Sequence, residues 1–205
     1  MNYLGHAFFS LGHAEILAGQ IIGDYVKGKQ QYNYAPNIQK GITLHRLIDA
    51  FTDNHWAGKE AIQLFKPYAN RYAPAFTDIV WDYFLANDTQ FFFTEHHLNL
   101  FAQKSYQQLA AYQPVFPNNF QGMFTSMQQH NWLYNYRTLF GMEKSFQGLI
   151  YRASGNIDFP TVFNGFVNQI PAFQELYKAL IPDVKKQVDT FFEENDLNVA
   201  TIFVK

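Results

Sequence analysis

The sequence predicts an all-α fold, a single domain built as a bundle of about eight or nine helices. Three observations predict it. Apolar residues recur three and four apart along most of the chain, as in Leu44, Leu47, Ile48 and Phe51. No alternation of strand and helix patterns supports a parallel sheet. The 205 residues are 48% hydrophobic and 19% aromatic, which suits one sizeable core and argues against long disorder. No internal repeat, linker or low-complexity segment divides the chain.

Asn2 is placed to cap a first helix carrying Leu4, His6, Phe8 and Leu11. Gly12 punctuates, and a second amphipathic segment runs from Ala14 to about Val26, ending in G-D-Y-V-K-G. Residues 30–35 read as a loop. Pro36 can open a third helix, where its missing N–H costs nothing, and that helix runs to about Asn54. Trp56 to Asn70 is amphipathic, with Pro67 expected to kink or divide it. Pro74 opens the next helix, which is apolar almost all round and therefore expected at the centre of the bundle.

The run Q-F-F-F between Thr89 and Thr94 is too short to assign. Leu98 to Tyr112 reads as helix, broken by Pro114 and Pro117. Phe120 to Phe140 continues with helical periodicity and poor caps. Glu143 to Arg152 is helical, closed by Gly155 and Asn156. A last helical region runs from Pro171 to Glu194, with a kink expected at Pro182. Residues 195–205 form a tail with weak strand character.

Composition narrows the chemistry. The net charge of −2 and pI near 6.4 argue against nucleic acid as the main partner, since phosphate binding normally needs a basic surface. The absence of cysteine excludes disulfides, thiolate metal sites and cysteine nucleophiles. Any metal must therefore use His, carboxylate or water ligands, which suits Mn, Mg, Fe or Zn. No phosphate loop, G-x-S-x-G elbow or H-E-x-x-H is present. The N-terminus lacks the pattern of a signal peptide and no stretch is long enough to span a bilayer, so a soluble cytoplasmic protein is expected.

The densest concentration of chemistry is G-I-T-L-H-R-L-I-D-A-F-T-D, Gly41 to Asp53. Opposite its apolar stripe, His45 lies beside Asp49 and Asp49 beside Asp53, each pair four residues apart. An imidazole and carboxylates in a row are what a divalent metal needs; a solvated face with caps and ion pairs is the plainer reading. Asp24 lies near a helix C-terminus, where the dipole disfavours a carboxylate, and so reads as a ligand. Asp82 sits on the most apolar helix, where a carboxylate is expensive unless paired, protonated or metal-bound. Its alternative is a buried ion pair with Arg46 or Arg71. His96 and His97 are expected at the surface, and His13, His55 and His130 have no carboxylate at ligand spacing. Lys27, Lys29 and Lys40 form a loose basic group around Asp24, suited either to solvent or to an acidic partner.

Asn2 with His6, G-D-Y-V-K-G, the Gly41–Asp53 block and D-I-V-W-D-Y-F-L resemble, in order, the acyl carrier protein phosphodiesterases, or ACP hydrolases. The likeness continues through W-L-Y-N-Y-R and Tyr151–Arg152. It implies an all-helical fold distantly related to the HD-domain phosphohydrolases. It also implies a metal-dependent hydrolase, typically with manganese, that cleaves 4′-phosphopantetheine from a serine of holo acyl carrier protein. On that basis His45, Asp49 and Asp82 are expected nearest the metal, with Asp24 and His6 next. Arg46 is available to neutralise phosphate or to pair with a carboxylate, and Asp53 and Asp78 to orient other groups.

In one place the chain departs from the family, with Tyr83 in Asp82–Leu85 where the family has histidine. Tyrosine cannot supply a neutral nitrogen ligand, although it can donate a hydrogen bond to phosphate. The competing functions are a hydrolase of another phosphorylated small molecule and a catalytically weak module that binds carrier protein. The metal reading requires His45, Asp49 and Asp82 to share one coordination shell.

Overall fold

The computed structural model describes residues 1–153 and 156–197. Among these there are eleven α-helices and no strand. In chain order they are α1 (Tyr3–Phe8), α2 (Ala14–Ile22), α3 (Pro36–Asn54), α4 (Trp56–Ala69), α5 (Ala73–Ala86) and α6 (Glu95–Ala110), then α7 (Asn118–Gln129), α8 (Trp132–Asn135), α9 (Leu139–Arg152), α10 (Phe159–Asn168) and α11 (Ile170–Glu194). Among the described residues no helix is long and apolar enough to cross a membrane.

The boundaries follow local chemistry. α1 ends before Leu11 and Gly12, both at positive φ. α2 stops at Ile22, short of Val26, and Gly23–Tyr25 forms a 3₁₀ turn, so Asp24 sits just beyond the helix. The expected loop at residues 30–35 is largely a second 3₁₀ segment, Gly28–Asn33. Pro67 does not divide α4, because it lies in the last turn and the helix ends two residues later. α11 runs unbroken through Pro182. The expected Phe120–Phe140 helix is three pieces, interrupted where Asn131 takes a left-handed conformation and again before Thr138 caps α9. α10 is a helix the periodicity did not reveal, opened by Asp158, whose side chain accepts from Thr161 N–H. Residues 154–155 and 198–205, including Gly155 and most of the expected tail, lie outside the described residues.

α5 is central, packed against α1, α4, α9 and α11. Val80, Trp81, Asp82 and Leu85 are all buried. Below it Phe65, Phe76, Phe146, Phe166 and Phe173 stack in one aromatic layer, with centroid distances such as 4.9 Å for Phe76–Phe146. Tilted and edge-on pairs of this kind add about 0.5–1.5 kcal/mol each beyond their area burial.

Candidate metal centre

Four side chains are brought together from three helices because α2 and α3 cross backbone to backbone. A Cβ on Gly19 would stand 2.1 Å from the Ile38 carbonyl oxygen, and one on Gly41 2.3 Å from that of Ile16. Only glycine permits that approach. Gly23 serves the same end, since a Cβ there would lie 2.3 Å from His45 Cγ. The crossing sets Gln20 of α2 against His45 of α3, and α1 lays His6 beside them.

Gln20 holds both histidines. His45 Nδ1 lies 2.8 Å from the Gln20 backbone carbonyl. A carbonyl only accepts, so Nδ1 carries a proton and Nε2 is the atom left to face the carboxylates. His6 Nδ1 lies 2.9 Å from Gln20 Oε1, which turns His6 Nε2 the same way. The two rings stack with centroids 3.9 Å apart. Asp49 reaches both: Oδ1 is 3.1 Å from His6 Nε2 and Oδ2 is 3.1 Å from His45 Nε2. Asp24 Oδ1 is 3.3 Å from His45 Nε2. His6 Nε2 is buried and, despite its closeness to Asp49, has no hydrogen bond of acceptable geometry. One donor atom from each of His6, His45 and Asp49 lies within 4.8 Å of the others. An orphaned buried nitrogen, a second imidazole nitrogen and a carboxylate converging on one point form a donor set that fits a divalent cation.

The electrostatics agree. Burial opposes the imidazolium of His45, but Asp24 and Asp49 outweigh it and raise the group to about 9. Burial and then the neighbouring His45 charge push His6 down, so the stacked pair carries one positive charge rather than two. Burial would raise Asp49, but the Met1 amine and the two imidazoles hold it far below the usual carboxylate range. The hydrogen bond from His45 likewise lowers Asp24.

The remaining predicted residues are distributed around this cluster. Arg46 lines the cleft that opens onto it, a space of ≈ 380 Å³ bordered also by Asp24, Lys27, His45 and Asp49. Its guanidinium donates to the Val26 carbonyl and to Gln31 Oε1. Asp53 lies one turn beyond Asp49 with its carboxyl raised by burial. Asp78 accepts from the Met1 amine at 2.7 Å, an amine that also lies 3.4 Å from Asp49.

Asp82 is placed otherwise than expected: it does not share a coordination shell with His45 and Asp49, and His6 takes the third place in the cluster. Asp82 is fully buried, but its partners are neither a metal cluster nor an arginine: Oδ1 accepts from Asn2 and Gly5 N–H at 3.2 and 3.0 Å, and Oδ2 from Leu4 N–H at 2.7 Å. It thus caps α1, the task the sequence suggested for Asn2, whose side chain makes no cap. Burial raises Asp82 to about 7 against the pull of the Met1 amine and those three donors. Tyr83, on the next position of α5, packs its ring on Phe84 and Phe166, away from the histidines. Lys27 and Lys29 are exposed near the cleft, whereas Lys40 donates to the Asn195 carbonyl.

A family model described as acyl carrier protein phosphodiesterase matches residues 1–184. The chain belongs to that family. A relative of the same name from Salmonella paratyphi A is 30% identical over 152 residues, covering 74% of this chain and 79% of its own. Another, from Yersinia enterocolitica, is 27% identical over 187 residues, 91% of this chain and 97% of its own. A third, from Klebsiella pneumoniae, is 30% identical over 152 residues, again 74% of this chain and 79% of its own. No solved structure matches the chain.

In this acyl carrier protein phosphodiesterase family member, the residue that periodicity did not single out is Gln20. Its signal is present: a glutamine inside the apolar run I-L-A-G-Q-I-I, completely buried in the fold. Its side-chain oxygen meets His6 and its backbone carbonyl meets His45.

Proposed function

We propose that this chain is a metal-dependent phosphodiesterase that hydrolyses 4′-phosphopantetheine from holo acyl carrier protein, with manganese as its metal. The convergence of His6 Nε2, His45 Nε2 and Asp49 on one point beside an open cleft carries the reading. Family membership supports the substrate, because the relatives carry that activity in their name.

The metal supplies a bound water of lowered pKa and positive charge beside the phosphate oxygens. Gln20 orients both imidazoles through their Nδ1 atoms, so that both Nε2 atoms are turned to the same space once His45 releases its second proton. Asp49 faces both nitrogens from the opposite side. Asp24 is ionised and three-quarters exposed at the cleft mouth, where it can hold a proton of the attacking water. Water oxygen bonds to phosphorus, the bond from phosphorus to the serine oxygen breaks, and the serine oxygen takes a proton. The products are apo carrier protein and phosphopantetheine. Arg46 borders the cleft, where its positive charge can meet the phosphate. Asp53 and Asp78 act indirectly, through the charge around Asp49. Asp82 holds α1, and with it His6, in place. Tyr83 takes no part, so the family's histidine at that position is not needed here. Lys27 and Lys29 at the rim attract the acidic surface of a carrier protein.

The test is to incubate the purified chain with holo carrier protein and Mn²⁺ and follow the protein mass. Loss of the prosthetic group, abolished by a chelator and in His45→Ala, is the expected result. No loss at any metal concentration overturns the reaction. Binding without turnover then leaves a recognition module, and turnover of other phosphate esters a different substrate.

A further inference from the structure

A second and larger cavity, of ≈ 430 Å³, lies between the start of α1, α8 and α9. That volume is in the range of small-molecule sites. Tyr3 and Trp132 give it aromatic walls, their rings 6.2 Å apart, and Asn2 and Asn135 also line it. Nothing in the chemistry of the metal cluster uses these residues.

The cavity adjoins the cleft. Tyr3 precedes His6 by three residues on α1, which makes them neighbours about 5–6 Å apart on the helix. The Tyr3 hydroxyl lies 3.1 Å from that of Tyr25, which follows the cleft residue Asp24. Arg152 also lines the cavity. Tyr3 and Tyr25 thus stand between the cleft and the cavity, and a ligand spanning the two must pass them.

We propose that this cavity takes the pantetheine arm of the substrate while the phosphodiester lies in the metal cleft, an assignment that rests on the reaction proposed above. The arm is a chain of amides joined by apolar carbons. Asparagine amides match the first, and the faces of Tyr3 and Trp132 the second.

Gly148 offers the probe. It lines the cavity from α9, and a Cβ there would meet only Arg152 Nη1, at an ordinary 3.6 Å. Larger side chains at this position project into the cavity. Titrating the metal-free protein with D-pantetheine should give a saturable change in tryptophan fluorescence that Trp132→Phe removes and Gly148→Leu weakens. With holo carrier protein, Gly148→Leu should lower kcat/KM by about tenfold relative to kcat/KM for bis(p-nitrophenyl) phosphate, a diester without the arm, mainly through KM. Gly148→Ala should lie between Leu and the unaltered chain.

An unchanged ratio, or a pantetheine response indifferent to Gly148→Leu, overturns the assignment. Failure of the unaltered chain to release phosphopantetheine overturns the reaction instead, and the pantetheine titration still decides the cavity.

Discussion

At the level of single residues, Gln20 and His45 determine how the centre takes up a metal. In the metal-free protein His45 titrates near 9, so at neutral pH its Nε2 carries a proton that a metal must displace. Metal affinity should therefore rise with pH and level off above about 9, with proton release on binding at pH 7, which isothermal titration of Mn²⁺ in buffers of different ionisation enthalpy would measure. The sign for folding is opposite. The folded pKa lies above the ordinary 6.5, so the imidazolium stabilises the metal-free fold below that value, and the contribution is lost as pH rises through about 9. Gln20 touches no substrate and acts through the ligands' orientation. Gln20→Leu should weaken Mn²⁺ binding by about 10–100-fold, the usual cost of losing a partner that orients a metal ligand, while the helical circular-dichroism signal is retained. Equal affinity in that variant would remove Gln20 from the centre.

Among the elements, α1 is short and depends on another helix for its start. Its first N–H groups go to Asp82 of α5 rather than to a local cap. Asp82→Ala leaves three donors without that partner and should destabilise the fold by about 3 kcal/mol, read from the urea midpoint. Metal binding by the fraction still folded should weaken because His6 is no longer held, whereas a true ligand loss would abolish binding with little change in stability. The sequence showed Asp82 to be a buried carboxylate with an unusual job, and could not show which job. Spacing along one helix reveals neighbours on that helix, as it did for His45 and Asp49. The partners of Asp82 are some eighty residues away, and no local pattern encodes them. The same reasoning covers α10, whose Asp158 and Pro160 are good start signals followed by only ten helical residues. It covers the crossing of α2 and α3 too: Gly19 and Gly41 look like helix weaknesses in one dimension and are a contact in three.

For the whole molecule, a metal that binds only the folded chain should stabilise it by mass action. At a hundredfold excess of Mn²⁺ over Kd the gain is roughly 2.7 kcal/mol. For a chain of this size that corresponds to a rise in Tm of about 5–10 °C, measurable by calorimetry and reversed by chelator. No rise would mean that the cluster binds no manganese at that concentration. The all-helical class was legible because periodicity and composition are global properties that survive errors at helix ends. The layout of the molecule has one more consequence. Every donor of the centre comes from residues 6–49, while the neighbouring cavity draws its walls chiefly from residues 130–152, and α1 alone belongs to both. Drift in α8 and α9 can thus reshape what the molecule accepts without disturbing how it reacts. Change in α1 cannot be confined in that way, which makes six residues between Tyr3 and Phe8 the least free to evolve.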